Sequence, residues 1–274
     1  MTDAQIEQAR RAERIEAAAY RELVAAAPAE FVRAVGLRSA EIAETTLLVA
    51  PGIPDTLFNR AIGLGVHRPA AGADLDAVIR AFREAGCRNY WIHLAPCAAP
   101  ESITSWLEAR GFAPPARRSW AKMVRGVERP PEPGGALEVG AALPEEQTAA
   151  AEAIRGAFGM PPPFVPWLAA LARRPRWRLY AARADGRVVG GAFLYLEGAC
   201  AWLGAAGVLR EFRGRGAQRA LMALRIREAG AAGCSEVHTE TGEPVANEFN
   251  PSLANMQRCG FSRICSRLNY APSG

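Results

Sequence analysis

Val208-Leu-Arg-Glu-Phe-Arg213-Gly214-Arg215-Gly216-Ala217-Gln218-Arg219-Ala-Leu221 is the stretch on which the fold turns. An apolar run ends in a segment holding two glycines and three arginines, and an amphipathic helix begins behind it. Glycines let a backbone approach a ligand closely, and the first N–H groups of a helix point away from it unpaired. The helix start adds roughly half a positive charge. Together these are the means of holding a pyrophosphate.

Three phosphate-binding patterns compete for this stretch. A P-loop needs G-x-x-x-x-G-K-[ST]; no such string occurs, and the chain's one lysine is Lys122. A dinucleotide fingerprint needs G-x-G-x-x-G. Gly214 and Gly216 fit it, but Arg219 stands at the third position, where its bulk opposes close helix–strand packing. The third pattern is R-x-x-G-x-[GA] between a strand and a helix. Arg213 and Gly216 match it, and Gln218 departs at the last position. The bare string also starts at Arg60, Arg187 and Arg227, so the strand-to-helix context carries the argument.

With its approach Ala206-Gly207-Val208-Leu209-Arg210-Glu211-Phe212, this stretch resembles the GNAT superfamily of N-acetyltransferases, which bind acetyl-CoA; Arg210 stands where the family often has proline. The residues downstream agree. Residues 216–229 read as a helix with Leu221, Leu224 and Ile226 on its buried side, ended by Gly230 and Gly233. Residues 236–241 alternate as a strand. Asn250-Pro251 opens another helix, which ends at Gly260-Phe261. Residues 262–270 read as a closing strand. Upstream, the pattern predicts a strand at 137–141, helices at 144–158 and 167–173, and strands at 177–183, 188–196 and 199–208. Asp185-Gly186 marks a hairpin. The resemblance spans about residues 136–270.

Arg129-Pro-Pro-Glu-Pro-Gly-Gly135 is the clearest linker, and few contacts are expected to cross it. The segment before it echoes the second half. Arg83-Glu-Ala-Gly86-Cys87 leads into an apolar strand and on to Gly111-Phe112, as Arg227-Glu-Ala-Gly230 and Cys234 lead on to Gly260-Phe261. The expected architecture is α/β, with tandem GNAT-like domains, each a mixed, mostly antiparallel sheet flanked by helices. Residues 1–128 form a degenerate first domain, 129–135 the linker, and 136–274 the acetyl-CoA-binding domain. The first domain's loop is lost: Arg60 to Gly65 spells the string, but Val66-His-Arg-Pro69 comes next, so no helix starts at its glycines. The family often has one strand beyond the last one here, which is followed by four residues, so the first domain is expected to supply it.

The resemblance implies a cofactor site at Val208, Leu209, Arg213, Gly214, Arg215, Gly216, Ala217, Gln218 and Arg219, with Asn255 near the pantetheine arm. Acyl transfer to an amine needs a neutral amine, a stabilised oxyanion and, in some cases, a protonated leaving thiolate. A backbone N–H near Val208 would serve the oxyanion. Glu240 and His238 share one face of their strand by period-two alternation, and either could take the proton. Met256 stands where many family members carry a proton-donating tyrosine, and a thioether donates none. Phe164 and Trp167, in the stiff apolar segment from Gly159, are candidate acceptor contacts.

The chain has 274 residues, half of them apolar, and a net charge of +5. That balance suits an anionic co-substrate and is too dispersed for nucleic acid. No apolar run reaches a membrane span, and the charged N-terminus is no secretory signal. Six scattered cysteines without a C-x-x-C pair suit reduced thiols in a cytoplasmic protein without a metal. The expected function is N-acyl transfer from acetyl-CoA to a small-molecule or peptide amine, by a monomer or homodimer. A non-catalytic acyl-CoA-binding regulatory module is the alternative, and Arg219 argues against a third reading, a nucleotide-binding Rossmann protein.

Overall fold

The computed structural model describes residues 1–273 apart from 116–118, 133 and 246–247. Helices α1 (Asp3–Ala25) and α2 (Ala29–Val35) lead into strands β1 (Arg38–Ile42), β2 (Thr45–Val49) and β3 (Arg60–Ile62). Helix α3 (Gly72–Glu84), β4 (Trp91–Leu94), α4 (Ile103–Ala109), β5 (Phe112–Ala113) and β6 (Ser119–Gly126) complete the first half. The second half runs β7 (Glu138–Ala141), α5 (Gln147–Phe158), α6 (Phe164–Leu171), β8 (Trp177–Ala184), β9 (Arg187–Glu197) and β10 (Cys200–Val208). It ends α7 (Ala217–Ala231), β11 (Glu236–Gly242), α8 (Pro251–Arg258) and β12 (Ser262–Pro272).

Local chemistry explains the main boundaries. Thr2 and Gln5 form a capping box that starts α1. Asp185 and Gly186 both have positive φ, 49° and 75°, the geometry that a two-residue hairpin turn requires. The Asn250 side chain accepts from the Leu253 N–H at the head of α8, and Pro251 comes next, at a position whose N–H is not needed.

The strands do not form two sheets. They form one, in the order β1-β2-β3-β4-β12-β6-β11-β10-β9-β8-β7, with β5 paired to β12 off that path. Each half contributes a parallel pair joined through a helix: β3 and β4 across α3, β10 and β11 across α7. The last strand of each half then crosses into the other. Strand β6 pairs antiparallel with β11, from Glu236↔Gly126 to Gly242↔Trp120. Strand β12 pairs with β6, then continues onto β4 through Leu268↔Leu94 and Tyr270↔Ile92. The boundary at 129–135 therefore separates the halves in sequence but not in space, because β6 lies before the linker and belongs to the second half's sheet. The chain is held as it leaves the linker: the N–H of Ala136, the next residue, donates to the Arg215 carbonyl at 3.3 Å.

Alternation along the strands sorts the core onto two faces. Phe193, Tyr195 and Trp202 point to the face covered by α1, α2, α5 and α6. Ala192, Leu194, Ala201 and Leu203 point to the face covered by α7 and α8. In the first half, Leu47, Val49 and Ile92 pack against α3 and α4.

Because β11 is paired on one side by a strand from the first half, residues 136–274 expressed alone should not fold cooperatively. Denaturant unfolding of that fragment should show no sigmoidal transition, and adding residues 1–128 in trans should restore one. A fragment that unfolds cooperatively with the midpoint of the full chain would contradict the exchange.

Candidate active site

The phosphate-loop segment lies where β10 meets α7. After a short 3-10 turn at Arg210–Phe212, Gly214 and Gly216 take left-handed φ values of 78° and 80°, and α7 starts at Ala217. No side chain caps Gly216, so the first N–H groups of α7 face outward without a helical partner. A Cβ at Gly214 would meet open space, so there it is the backbone conformation that selects glycine. A Cβ at Gly216 would lie 2.9 Å from Gly135 Cα and 3.0 Å from Gly134 O. The linker glycines are thus the back wall of the loop, and the Arg219 guanidinium lies against Gly134. Arg213 Nε donates to the Val208 carbonyl at 3.1 Å, and the Leu209 N–H is taken by the Val189 carbonyl at 2.9 Å. Leu209 therefore has no backbone donor left for a ligand.

Beside the loop the parallel pair opens. β10 and β11 are in register from Cys200↔Glu236 to Trp202↔His238; beyond that β10 carries an irregularity between Leu203 and Ala206, and the pairing stops. The gap is a cleft of about 210 Å³ that passes through the sheet. Gln218, Met222, Ser252 and Met256 line it on the α7 and α8 face; Tyr20, Phe158, Met160 and Trp202 line it on the other. Arg225 lines it too, but its guanidinium is spent on the carbonyls of Leu221, Phe193 and Gly204.

Of the two candidate bases, the structure brings Glu240 to this cleft and leaves His238 out of it. Both do lie on one face of β11, as alternation requires, but α1 covers that face. Beneath it His238 Nε2 sits 3.0 Å from Glu236 Oε1, which also accepts from Arg11 Nε at 2.7 Å. The His238 hydrogen bond, with Arg11 behind it, draws the Glu236 carboxyl down to about 2 against the opposing effect of burial. Cys200 Sγ donates to the same carboxylate at 3.3 Å. Cys200, Glu236 and His238 are near enough to share a cation, but Arg11 already balances their charge.

Glu240 sits among charges. Its Oε2 accepts from Lys122, and its Oε1 accepts no hydrogen bond among the described residues. Arg60 Nη1 lies 4.0 Å and Arg267 Nη2 3.7 Å from the carboxylate. Glu16 and Glu13 of α1 share Lys122 and Arg267 with it. Burial and the neighbouring Glu16 push the Glu240 carboxyl up to about 7, against the pull of Lys122 and Arg267. Glu16 itself, despite a burial that would raise it, is held well below the usual range by Arg267, Lys122 and Arg60. Glu243, past the strand, is tied to Ser119, Ser266 and Arg263.

Phe164 and Trp167 are core residues. They are 4% and 1% exposed, and Trp167 Nε1 donates to the Leu23 carbonyl at 2.7 Å. Their rings line an apolar chamber that adjoins the cleft rather than the cleft itself. Asn255 is outside the cleft and accepts from Arg258 at 3.4 Å. Ser252, four residues before Met256 and on the same helical face, lines the cleft in its stead; that spacing was its one signal in the sequence. Tyr20 carried none, and Lys122 only that of being the chain's one lysine, because both come from the first half.

The first half's equivalent loop is closed. A Cβ at Gly65 would lie 2.6 Å from the Ala99 carbonyl, and the Ala99 N–H donates to the Gly65 carbonyl at 2.8 Å. At the head of α3, Asp74 accepts the Ala71 N–H at 2.8 Å and pairs with Arg68 at 3.0 Å, so a carboxylate of the chain takes the anion's place.

Comparison with known proteins agrees with this geometry. Residues 145–261 match the sequence model of the Acetyltransferase (GNAT) family. Among solved structures, a GCN5-related N-acetyltransferase from Kribbella flavida superposes with a TM-score of 0.63 at 18% identity, covering 96% of both chains. One from Sphaerobacter thermophilus gives 0.61 at 18%, covering 83% of this chain and 79% of that one. A tandem GNAT protein from the clavulanic acid biosynthesis pathway gives 0.55 at 18%, covering 83% and 77%. At that identity the likeness is one of fold. No curated protein matches the sequence.

With one loop open and the other filled, calorimetric titration of CoA should give one site per chain. Two sites would show that Ala99 and Asp74 can be displaced.

Proposed function

We propose that this chain, whose C-terminal half is a domain of the GNAT acetyltransferase family, moves an acyl group from acetyl-CoA to an amine. The observation that carries this reading is the position of Glu240: a buried carboxylate with one unbonded oxygen, lining a gap between two splayed strands beside an anion-binding helix start.

The residues fit a CoA thioester. The outward N–H groups from Gly214 to Arg219 suit a pyrophosphate, and Arg213, Arg215 and Arg219 add charge around it. Where β10 leaves β11, its backbone is free to pair with an extended arm. The bound thioester supplies an activated acyl carbon; the rest falls to the protein. Glu240 receives the proton shed by the attacking nitrogen, as the new C–N bond forms and the C–S bond breaks. With its carboxyl near 7, it is poised to hold and release a proton near neutral pH. Met256 cannot protonate the departing thiolate, but a thiolate is a stable leaving group, and the Ser252 hydroxyl lies one helical turn away.

A binding-only module would need no base at the gap. Among the described residues Glu240 keeps at the gap an oxygen that the ion pairs around it leave without a hydrogen bond, and that favours catalysis.

Two variants separate these roles. Gly216→Glu should abolish CoA binding, because the side chain would collide with Gly135 and set a negative charge at the helix start. Glu240→Gln should leave CoA affinity unchanged and lower kcat by about 10²–10³-fold. The pH profile has a definite sign. The base works deprotonated, so wild-type kcat should climb with pH and level off above about 7, and Glu240→Gln should flatten that limb. Glu16, Glu13 and Tyr20 from α1, Arg60, Lys122 and Arg267 all face Glu240 and set this limb jointly. Steady CoA release by Glu240→Gln at the wild-type rate would remove Glu240 from the chemistry.

A further inference from the structure

On the α1 side, the cleft opens onto the apolar chamber, a space of about 50 Å³. Tyr20, Leu57, Met160, Trp202 and Ala205 line both spaces, so the two are continuous. Aromatic rings form most of the inner wall, and Phe58 of the first half packs there against Phe164 and Trp167. Two buried indole N–H groups on this wall, of Trp177 and Trp202, have no hydrogen-bond partner among the described residues. These donors can accommodate a single neutral oxygen, such as a phenol's, and offer nothing to a cation.

The charges around this compartment are as telling. Glu240 is the carboxylate lining the cleft, and Lys122 holds its Oε2, so its Oε1 can meet one amine nitrogen. No second carboxylate among the described lining residues would hold a second ammonium. The lining guanidinium, Arg225, is committed to three carbonyls and has no role left in gripping a substrate carboxylate. Among the described residues of the chamber wall only Tyr20 carries a hydroxyl, too few for a sugar.

We infer that the acceptor is a primary amine with a single positive charge on a neutral aromatic or branched apolar body, and that the first half selects it by supplying Tyr20, Leu57 and Phe58 to the wall of the chamber. The inference rests on the acyl-transfer reading for the chemistry at the amine, not for the shape of the compartment. The amine nitrogen lies at Glu240 and loses its proton there; the body lies in the cleft against Tyr20 and Trp202, with only its tip entering the chamber; the acyl group enters from the α7 side.

The test uses the full chain and measures transfer and binding separately. Transfer from acetyl-CoA is followed as thiol release with 2-phenylethylamine, tyramine and 3-methylbutylamine against spermidine, glucosamine and a lysine-containing peptide. Binding of the same amines to the CoA-loaded protein is measured by calorimetry. The first three should exceed the others by at least about tenfold in kcat/KM, the discrimination a hydrophobic pocket gives for a poorly matched group. Leu57→Trp, which narrows the chamber, should lower kcat/KM for 2-phenylethylamine by about tenfold or more with CoA affinity unchanged. Leu57→Ala should shift preference toward bulkier bodies. Apolar amines that bind without being acylated would uphold the compartment and overturn the acyl-transfer reading. Efficient transfer to spermidine or glucosamine, insensitive to both Leu57 variants, would overturn the inference and leave the transfer reading standing. Absence of both binding and transfer with apolar amines would also overturn the inference.

Discussion

Six charged side chains buried beneath α1 hold this molecule in its interleaved form. Glu13 and Glu16 come from α1, Arg60 from β3, Lys122 from β6, Glu240 from β11 and Arg267 from β12. The Lys122 ammonium lies 2.5 Å from Glu16, and Arg267 donates to Glu13 at 2.9 Å and to Glu16 at 3.0 Å. Three carboxylates face three cations, and no segment supplies a balanced set. Burying such a group is repaid only when all its partners are in place, and removing one costs about 3–5 kcal/mol. The cluster is therefore complete only when β6 and β12 have both crossed over, and it acts as a check on the register of the exchange. His93, between Arg60 and the Asn269 amide, is kept neutral: burial and the two guanidiniums, Arg267 and Arg60, hold it well below its ordinary range.

The same charges govern the candidate base. Burial alone would raise the Glu240 carboxyl, and Glu16 raises it further; Lys122 and Arg267 pull it back to about 7. Its proton affinity is thus set by residues from α1, β6 and β12, none of them on its own strand. The fold that makes the sheet continuous also tunes the group at the gap, so structural and chemical roles are inseparable there. The rigidity this confers suits a site whose geometry has to be in place before the reactants meet.

The sequence was legible where structure is local. The loop glycines, the Asp185-Gly186 hairpin, the Asn250-Pro251 helix start and the paired Gly-Phe endings each depend on a few adjacent residues, and each lies where its pattern put it. The first half was expected to lend a strand, and β6 is that strand, but β12 crossing in return is a pairing between distant segments that no local pattern marks. The same non-locality governed the candidate site. Alternation placed Glu236, His238 and Glu240 on one face, yet which of them reaches the gap depends on where α1 lies. Lys122 stood out as the one lysine of an arginine-rich chain, but its meaning came from Glu16, over a hundred residues away. Phe164 and Trp167 look like surface contacts beside a run of prolines; they are buried because α2 and Phe58 of the first half pack on them.

The two halves share a plan and differ in what fills the loop after the first strand of each parallel pair. After β10 the space is open and backed by the linker; after β3 the Ala99 carbonyl and the Asp74 carboxylate occupy it. A closed loop no longer constrains the residues around it to suit a ligand, so they are free to serve the neighbouring site. The first half has moved in that direction: α1 covers the gap, Tyr20 lies 5.4 Å from Trp202 across it with the Arg60 guanidinium stacked on its ring, and β6 brings Lys122 to the base. Burial pushes the Tyr20 hydroxyl up to about 12, so it stays protonated, and it can serve this compartment as a neutral wall and hydrogen-bond donor. A half whose own loop is filled thus forms part of the wall of the other's cleft. Exchange of strands, unlike simple abutment, brings Lys122 to Glu240 and Arg267 to Glu13 and Glu16, each pair drawn from opposite halves.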